Sequence, residues 1–308
     1  MNTSCIICSS SNLQSLREFK GSSIIFHQKY LKQCNDCQMV FIDPMPSDEE
    51  LDNYNASYFE SAHGGHPSHP SAVAFFSGIG KLRGTYVESF LNRHHIQVNK
   101  VLEIGPGHGY FANNWKKNHP TVQYFGVETD TSCHFALQQA GIQILSPVQV
   151  ETSLDEVDLI VISHVLEHIS NPQFFLQTVT KKLRKGGVLF VEVPCMDWLH
   201  KEIDEPHLLF FDKNPMEYLL SHLGFDGVEL NYYGKSIERL KSPTFLFKLG
   251  RRIRSKLIDL GYFHLFSFPF PNSLVMLTAL ERTATRNYKA HKESMKPAWW
   301  LRAISIKK

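Results

Sequence analysis

His164-Val-Leu-Glu167-His168 places two imidazoles and a carboxylate within one short segment, and His207 follows further along the chain. A histidine near its ordinary pKa can take a proton from a hydroxyl or an activated carbon, and a neighbouring carboxylate fixes the ring or shares the proton. His168 and His207 are therefore the candidate general bases, with Glu167 orienting or sharing. His164 is a further candidate, or a residue that only closes the segment before it. The string also fits an inverted zinc-protease pattern, but that chemistry needs both histidines on one helical face and a third ligand downstream. The apolar run Val157-Asp-Leu-Ile-Val-Ile-Ser163 directly before it reads as a buried strand, which sets the cluster at a strand end instead.

A second group of residues suits a nucleotide. Lys100-Val-Leu-Glu-Ile reads as another buried strand, and Gly105-Pro-Gly-His-Gly109 turns from it into a helix beginning near Tyr110. Such a turn presents backbone N–H groups to a ligand. Glu103, just before the first glycine, can face a cationic group. Glu128, closing the strand Tyr124-Phe-Gly-Val, can accept both hydroxyls of a ribose, with Asp130 as the alternative. The spacing G-x-G-x-G, with Tyr110 where a third glycine would stand, departs from the dinucleotide pattern G-x-G-x-x-G.

Four of the six cysteines fall into Cys5-x-x-Cys8 and Cys34-x-x-Cys37. Each pair can turn two thiolates to one side of a metal, and two pairs complete a tetrahedral sulfur site, the pattern of a zinc ribbon. Between them, Leu13–Phe19 and Ser23–Leu31 look strand-like, enough for a hairpin joining two knuckles. A site closed by four thiolates leaves no position for chemistry, so this zinc is expected to be structural. Cys133 and Cys195 have no such spacing.

Glu103-Ile-Gly-Pro-Gly-His-Gly109 resembles the first motif of class I S-adenosylmethionine-dependent methyltransferases, and Glu128 matches the acid after their second strand. Val157–His168 is similar to the following strand and "HVLEH" segment of that group. Leu183-Arg-Lys-Gly-Gly-Val-Leu-Phe-Val-Glu-Val-Pro194 is similar to its L-x-x-G-G turn and fifth strand. The likeness runs from Lys100 to Gly234, and the order of four motifs is more specific than any one of them. The cysteine pairs with Asp43-Pro-Met-Pro-Ser-Asp-Glu-Glu-Leu51 resemble a subgroup with amino-terminal zinc ribbons. Its members methylate deoxysugars and other small molecules of surface-polysaccharide or natural-product pathways. The resemblance implies an α/β fold with a seven-stranded Rossmann-like sheet behind the ribbon. It implies S-adenosylmethionine as methyl donor, held by Glu103, Gly105, Gly107, Gly109, Glu128 and Asp130. It further implies transfer to an oxygen or carbon of a small, sugar-like acceptor.

These groups need elements to position them. A ribbon is expected over 1–45, a helical segment over 46–96 and the methyltransferase domain over 97–283, with an insertion at about 235–271 and a basic tail over 284–308. Ser47 with Glu50 reads as a capping box, Phe75–His95 as a helix, Gly227–Gly234 as the sixth strand and Ser273–Glu281 as the seventh. From Lys235 onward the chain carries +12, against −10 for everything before it. A basic end on an acidic body suggests an anionic partner, and the basic, aromatic insertion can lie on an anionic membrane surface or fold over the core as a lid. Nucleic acid is a poor acceptor candidate: Val193-Pro-Cys195 follows the fifth strand rather than the fourth, and no base-flipping signature accompanies it. No apolar run is long enough to cross a membrane and the start lacks a secretory signal, so a cytoplasmic protein is expected. The competing reading is a non-catalytic protein of the same fold that recruits an anionic partner. Intact Glu103, glycines and Glu128 argue against it.

Overall fold

The computed structural model describes residues 4–55, 69–241, 245–262, 266–270 and 275–308. Strands β1 (Leu13–Glu18), β2 (Tyr30–Cys34) and β3 (Val40–Asp43) form an antiparallel sheet beside the cysteine pairs. The strand expected over Ser23–Leu31 does not form as such; Ile24–Phe26 is a single tight helical turn. The Glu205 carboxylate accepts from the backbone N–H groups of Ser22 and Ser23, which takes those donors away from any ladder. Phe26 is freed to stack on Phe19, with ring centroids 5.1 Å apart. Helix α1 (Asp48–Asn55) starts from the expected capping box: Ser47 N–H donates to Glu50 at 2.7 Å and Glu50 N–H to the Ser47 hydroxyl at 3.3 Å.

Helix α2 (Pro70–Arg93) leads into the core. There follow β4 (Lys100–Ile104), α3 (Tyr110–Asn118), β5 (Gln123–Val127), α4 (His134–Gln139), β6 (Gln143–Ile144), α5 (Pro147–Ser153), β7 (Val157–Ser163), α6 (Pro172–Thr180) and β8 (Leu183–Pro194). Strands β4 to β8 are mutually parallel in the order β6-β5-β4-β7-β8. Helices cover both faces, so β4, β7 and β8 read as continuous apolar runs rather than alternating ones. Leu102, Ile160 and Leu189 enter the core on one face, and Val101, Leu159 and Phe190 the one on the other, where Phe90 and Trp115 close it.

The chain then forms β9 (Leu209–Phe210), α7 (Lys213–His222), β10 (Phe225–Ser236), α8 (Ile237–Lys241), α9 (Phe245–Asp259), β11 (Ser267–Pro269), β12 (Met276–Thr278), α10 (Ala279–Arg286), β13 (Glu293–Ser294) and β14 (Ala298–Lys307). The sheet continues β8-β14-β10-β13, with β14 antiparallel to both neighbours and β13 a two-residue addition at the edge. The seventh strand is therefore β14, not Ser273–Glu281. In the described part of that segment, β12 pairs with β11, and a Thr278/Glu281 capping box turns the chain into α10. Nor are residues 284–308 a loose basic tail. Arg302 is 1% exposed, its Nε donating to Glu192 at 2.6 Å, and Lys307 donates to the carbonyls of Thr180 and Leu183. Arg302 is neutralised inside the fold, and the half-buried Lys307 ammonium is tied to backbone carbonyls. Phe270 of the insertion and Leu277 just after it pack with Ile79, Leu82 and Trp300, so this end of the insertion lies on the core. Among the described residues no helix is long and apolar enough to cross a membrane.

The ribbon sheet and the core are joined. Strand β9 pairs with β3, Arg17 grips Asp204 through both guanidinium nitrogens at 2.6 and 2.7 Å, and Tyr54 donates to Glu205 at 2.8 Å. The segment held in this way carries His207.

Candidate active site and cysteine cluster

Ligands of open parallel sheets bind outside the carboxyl ends of the strands. At that edge β4 ends in the glycine turn, β5 in Glu128, β7 in His164–His168 and β8 in Cys195–Asp197. The two candidate groups read from the sequence thus share one edge.

The turn requires glycine at two points. Gly105 has φ +67°, and a Cβ there would meet Val165 Cγ2 at 2.5 Å; Gly109, at φ +69°, would meet Leu137 Cδ2 at 2.7 Å. The first contact also shows that the histidine segment packs directly on the turn. Gly107 N–H donates to one Glu128 oxygen at 2.7 Å and Asp130 N–H to the other at 2.9 Å. Burial pushes the Glu128 carboxyl up, and these two donors partly offset it. A carboxylate accepting one bond at each oxygen retains lone pairs for further donors. Asp130, the alternative ribose acceptor, caps the following turn by accepting from Ser132 N–H. Glu103 does not line the open side of the turn: it is 3% exposed and accepts the Tyr124 hydroxyl at 2.6 Å. Burial raises its carboxyl to about 7 against the lowering effect of that bond.

The other group is brought together as expected. His164, in left-handed backbone at φ +57°, lies between two carboxylates, with Nδ1 3.3 Å from Glu167 and Nε2 3.3 Å from Glu192. A bulky residue held in that conformation is uncommon and is found where the surroundings impose it. Burial lowers the His164 pKa, but its bonds to Glu167 and Glu192 outweigh burial and raise it overall. His168 is dominated by burial and falls to about 4, so its ring is neutral. His168 and His207 meet edge to face with centroids 5.0 Å apart. Glu167 is 1% exposed; burial raises its carboxyl, and the three histidines bring it below the usual range.

Two carboxylate partners of this group, Glu192 and Asp197, were not singled out from sequence. Glu192 is fully buried in β8, taking Arg83 at 2.7 Å on one oxygen and Arg302 at 2.6 Å on the other. Burial opposes its ionisation, but the two guanidiniums hold it well below the ordinary carboxylate range. Asp197 accepts His207 Nδ1–H at 2.8 Å and the Lys201 ammonium at 2.7 Å. The available signal was an acid inside Val-Leu-Phe-Val-Glu-Val-Pro and an arginine inside Trp-Leu-Arg-Ala-Ile, since buried charges must find partners.

At the other end of the molecule, Cys5 lies 3.5 Å from Cys37 and Cys8 3.5 Å from Cys34, sulfur to sulfur. All four sulfurs fall within 4.8 Å of one another. Each pair forms the same knuckle: Ser9 N–H donates to Cys5 O and Gln38 N–H to Cys34 O, with Ser9 and Gln38 both at positive φ. Bonds of about 2.3 Å to a tetrahedral zinc imply sulfur separations near 3.8 Å. The hydrogen bond from Cys37 lowers Cys5 to about 5 and pushes Cys37 up in return, as expected when neighbouring thiolates repel. Four sulfurs so placed can hold a metal ion.

Residues 79–230 match the family described as a methyltransferase domain. The match begins inside α2, so this helix belongs with the core that its Arg83 enters. The plantazolicin methyltransferase BamL, solved with a triazolic desmethyl analogue of plantazolicin and S-adenosylhomocysteine, is 14% identical with a TM-score of 0.50, covering 84% of this chain and 97% of its own. It shows the same fold. A possible histamine N-methyltransferase from Thermotoga maritima is 15% identical with a TM-score of 0.47, over 84% of this chain and 97% of that one. No curated protein matches the chain.

Proposed function

We propose that this chain, whose residues 79–230 belong to the methyltransferase-domain family, transfers a methyl group from S-adenosylmethionine to an oxygen or carbon of a small polar acceptor. The observation that carries the reading is the coupling of Glu128 to Gly107 N–H at the same sheet edge as the histidine group. S-adenosylmethionine, when bound, supplies a methyl carbon on a sulfonium. The glycine turn offers backbone donors to it, Glu128 accepts its ribose hydroxyls, and buried Glu103 adds a favourable negative potential. Direct transfer needs the acceptor atom held in line with that carbon at about 3 Å. The acceptor's proton leaves through the group formed by His164, Glu167, His168 and His207. The four cysteines hold a structural zinc that fixes the ribbon.

Calorimetry tests this. S-adenosylmethionine should bind in the micromolar range, NAD(P) should not, and Glu128→Ala should weaken binding by about 30-fold or more. That lower bound corresponds to about 2 kcal/mol, little more than one hydrogen bond to a charged group at about 1.5–3 kcal/mol. Undiminished binding in the variant would overturn the reading.

A further inference from the structure

We infer that Glu167, His168 and His207 form a binding site for a divalent first-row transition ion, whose remaining positions take two neighbouring oxygens of the acceptor. The proposal rests on the methyltransferase reading for the acceptor, but not for the ion. One ligand-capable atom from each of the three residues lies within 4.8 Å of the others. Glu167 is 1% exposed; Oε1 has only long contacts to His164 Nδ1 at 3.3 Å and His168 Nε2 at 3.9 Å, and Oε2 has no hydrogen-bond partner. A carboxylate stripped of water and left with one oxygen unbonded is costly to keep, and a cation resolves that cost.

The surrounding bonds orient both rings for the same purpose. His207 Nδ1–H donates to Asp197 at 2.8 Å, and His168 Nδ1–H donates to the carbonyl of Pro206 at 3.2 Å. Each acceptor keeps the proton on Nδ1, which makes Nε2 the ligand atom of each ring, and the His168 Nε2 is 3.9 Å from Glu167 Oε1. A carboxylate or carbonyl behind a ring nitrogen is the usual support of a metal-bound histidine. Two imidazoles and one carboxylate suit manganese, iron, cobalt or zinc and leave open positions, unlike the four-sulfur cluster. Neither ring is left where a hydroxyl alone would explain both supports.

The consequence for the acceptor is specific. A vicinal diol, catechol or α-hydroxy acid can give two oxygens to the ion, whereas an isolated amine or a lone hydroxyl cannot. The ion's charge lowers the pKa of the bound hydroxyl. With the two ligand rings on the ion and His164 bonded at both nitrogens, the proton leaves to solvent. The oxygen lone pair then forms the new bond to the methyl carbon as the carbon–sulfur bond breaks, and the sulfur departs with that pair as a neutral thioether.

The test uses the full chain purified without chelator, so that the cysteine cluster keeps its metal. Mn2+ is titrated in and its free signal followed by electron paramagnetic resonance. One Mn2+ per chain is expected. Glu167→Gln and His207→Ala should each abolish it or weaken it by more than ten-fold, and Asp197→Asn, a positioning change, by about ten- to a hundred-fold. Zinc content and S-adenosylmethionine affinity, measured on the same samples, show that the variants are folded. No Mn2+ or Co2+ binding, or binding indifferent to Glu167→Gln and His207→Ala, overturns the site. If the chain binds S-adenosylmethionine but no ion, the inference fails alone; if it binds the ion in the stated way but ignores S-adenosylmethionine, the functional reading fails alone.

Discussion

Glu192→Gln should cost about 3–5 kcal/mol of stability and lower the melting temperature by about 6–20 °C. Glutamine has nearly the same shape, so packing is preserved and only the charge is removed. What remains is Arg302, 1% exposed in the middle of the sheet and now without an anion. Its stacking on Tyr233, with the guanidinium 4.1 Å from the ring centroid, offsets part of the loss. Arg83 suffers less, because 15% of its side chain reaches the surface and it can turn outward. Most of the expected cost is the stranded charge and not the worth of the ion pair. The double variant Glu192→Leu, Arg302→Met should accordingly regain most of the stability that Glu192→Gln loses. Thermal melts of the three proteins decide it, and a Glu192→Gln melt within about 2 °C of the parent would show that the charges are not buried as described.

Cys34→Ser should release the ribbon metal and expose residues 4–46 to proteolysis, since apparent binding energies for structural zinc reach about 10–16 kcal/mol. The larger consequence lies outside the ribbon. Ile42 N–H donates to Leu208 O at 3.0 Å, and Leu208 N–H donates to Glu167 O at 2.8 Å. The β3–β9 pairing thus connects the cysteine cluster, through two backbone bonds, to Glu167 and His207. Hydrogen exchange should show lost protection at Ile42 and Leu208 in the variant, with S-adenosylmethionine affinity changed by less than about two-fold. If both amides stay protected while the metal is gone, the ribbon does not support the site.

What could be read from the sequence is what is local. A CxxC knuckle and a glycine turn are each complete within a few residues, so Cys5, Cys34, Gly105 and Gly109 carry their geometry with them. Glu128 follows the turn by one helix and one strand. The histidine cluster needed more, because His207 comes from a loop whose position depends on Arg17 and β3. Strand β14 was hidden for a different reason. Arg302 interrupts its apolar run, and the acid that makes the arginine tolerable is 110 positions away. Basic charge counted along the chain suggests a solvated tail when the partners are invisible. The Thr278/Glu281 capping box, by contrast, was present in the sequence as T-x-x-E, and it marks the helix that replaces the expected seventh strand.

The placement of β14 also bears on how the chain reaches its native state. Trp300 pairs with Pro194 on one side and Tyr233 on the other, so the strand must slot between two segments laid down long before it. Such distant pairing makes for slow assembly. Until it is complete, β8 presents a bare, largely apolar edge and β10 an unpaired one, the kind of surface on which incomplete chains adhere to one another. Yield in a heterologous host should therefore depend on chaperone supply and low synthesis temperature more than on the final stability of the fold.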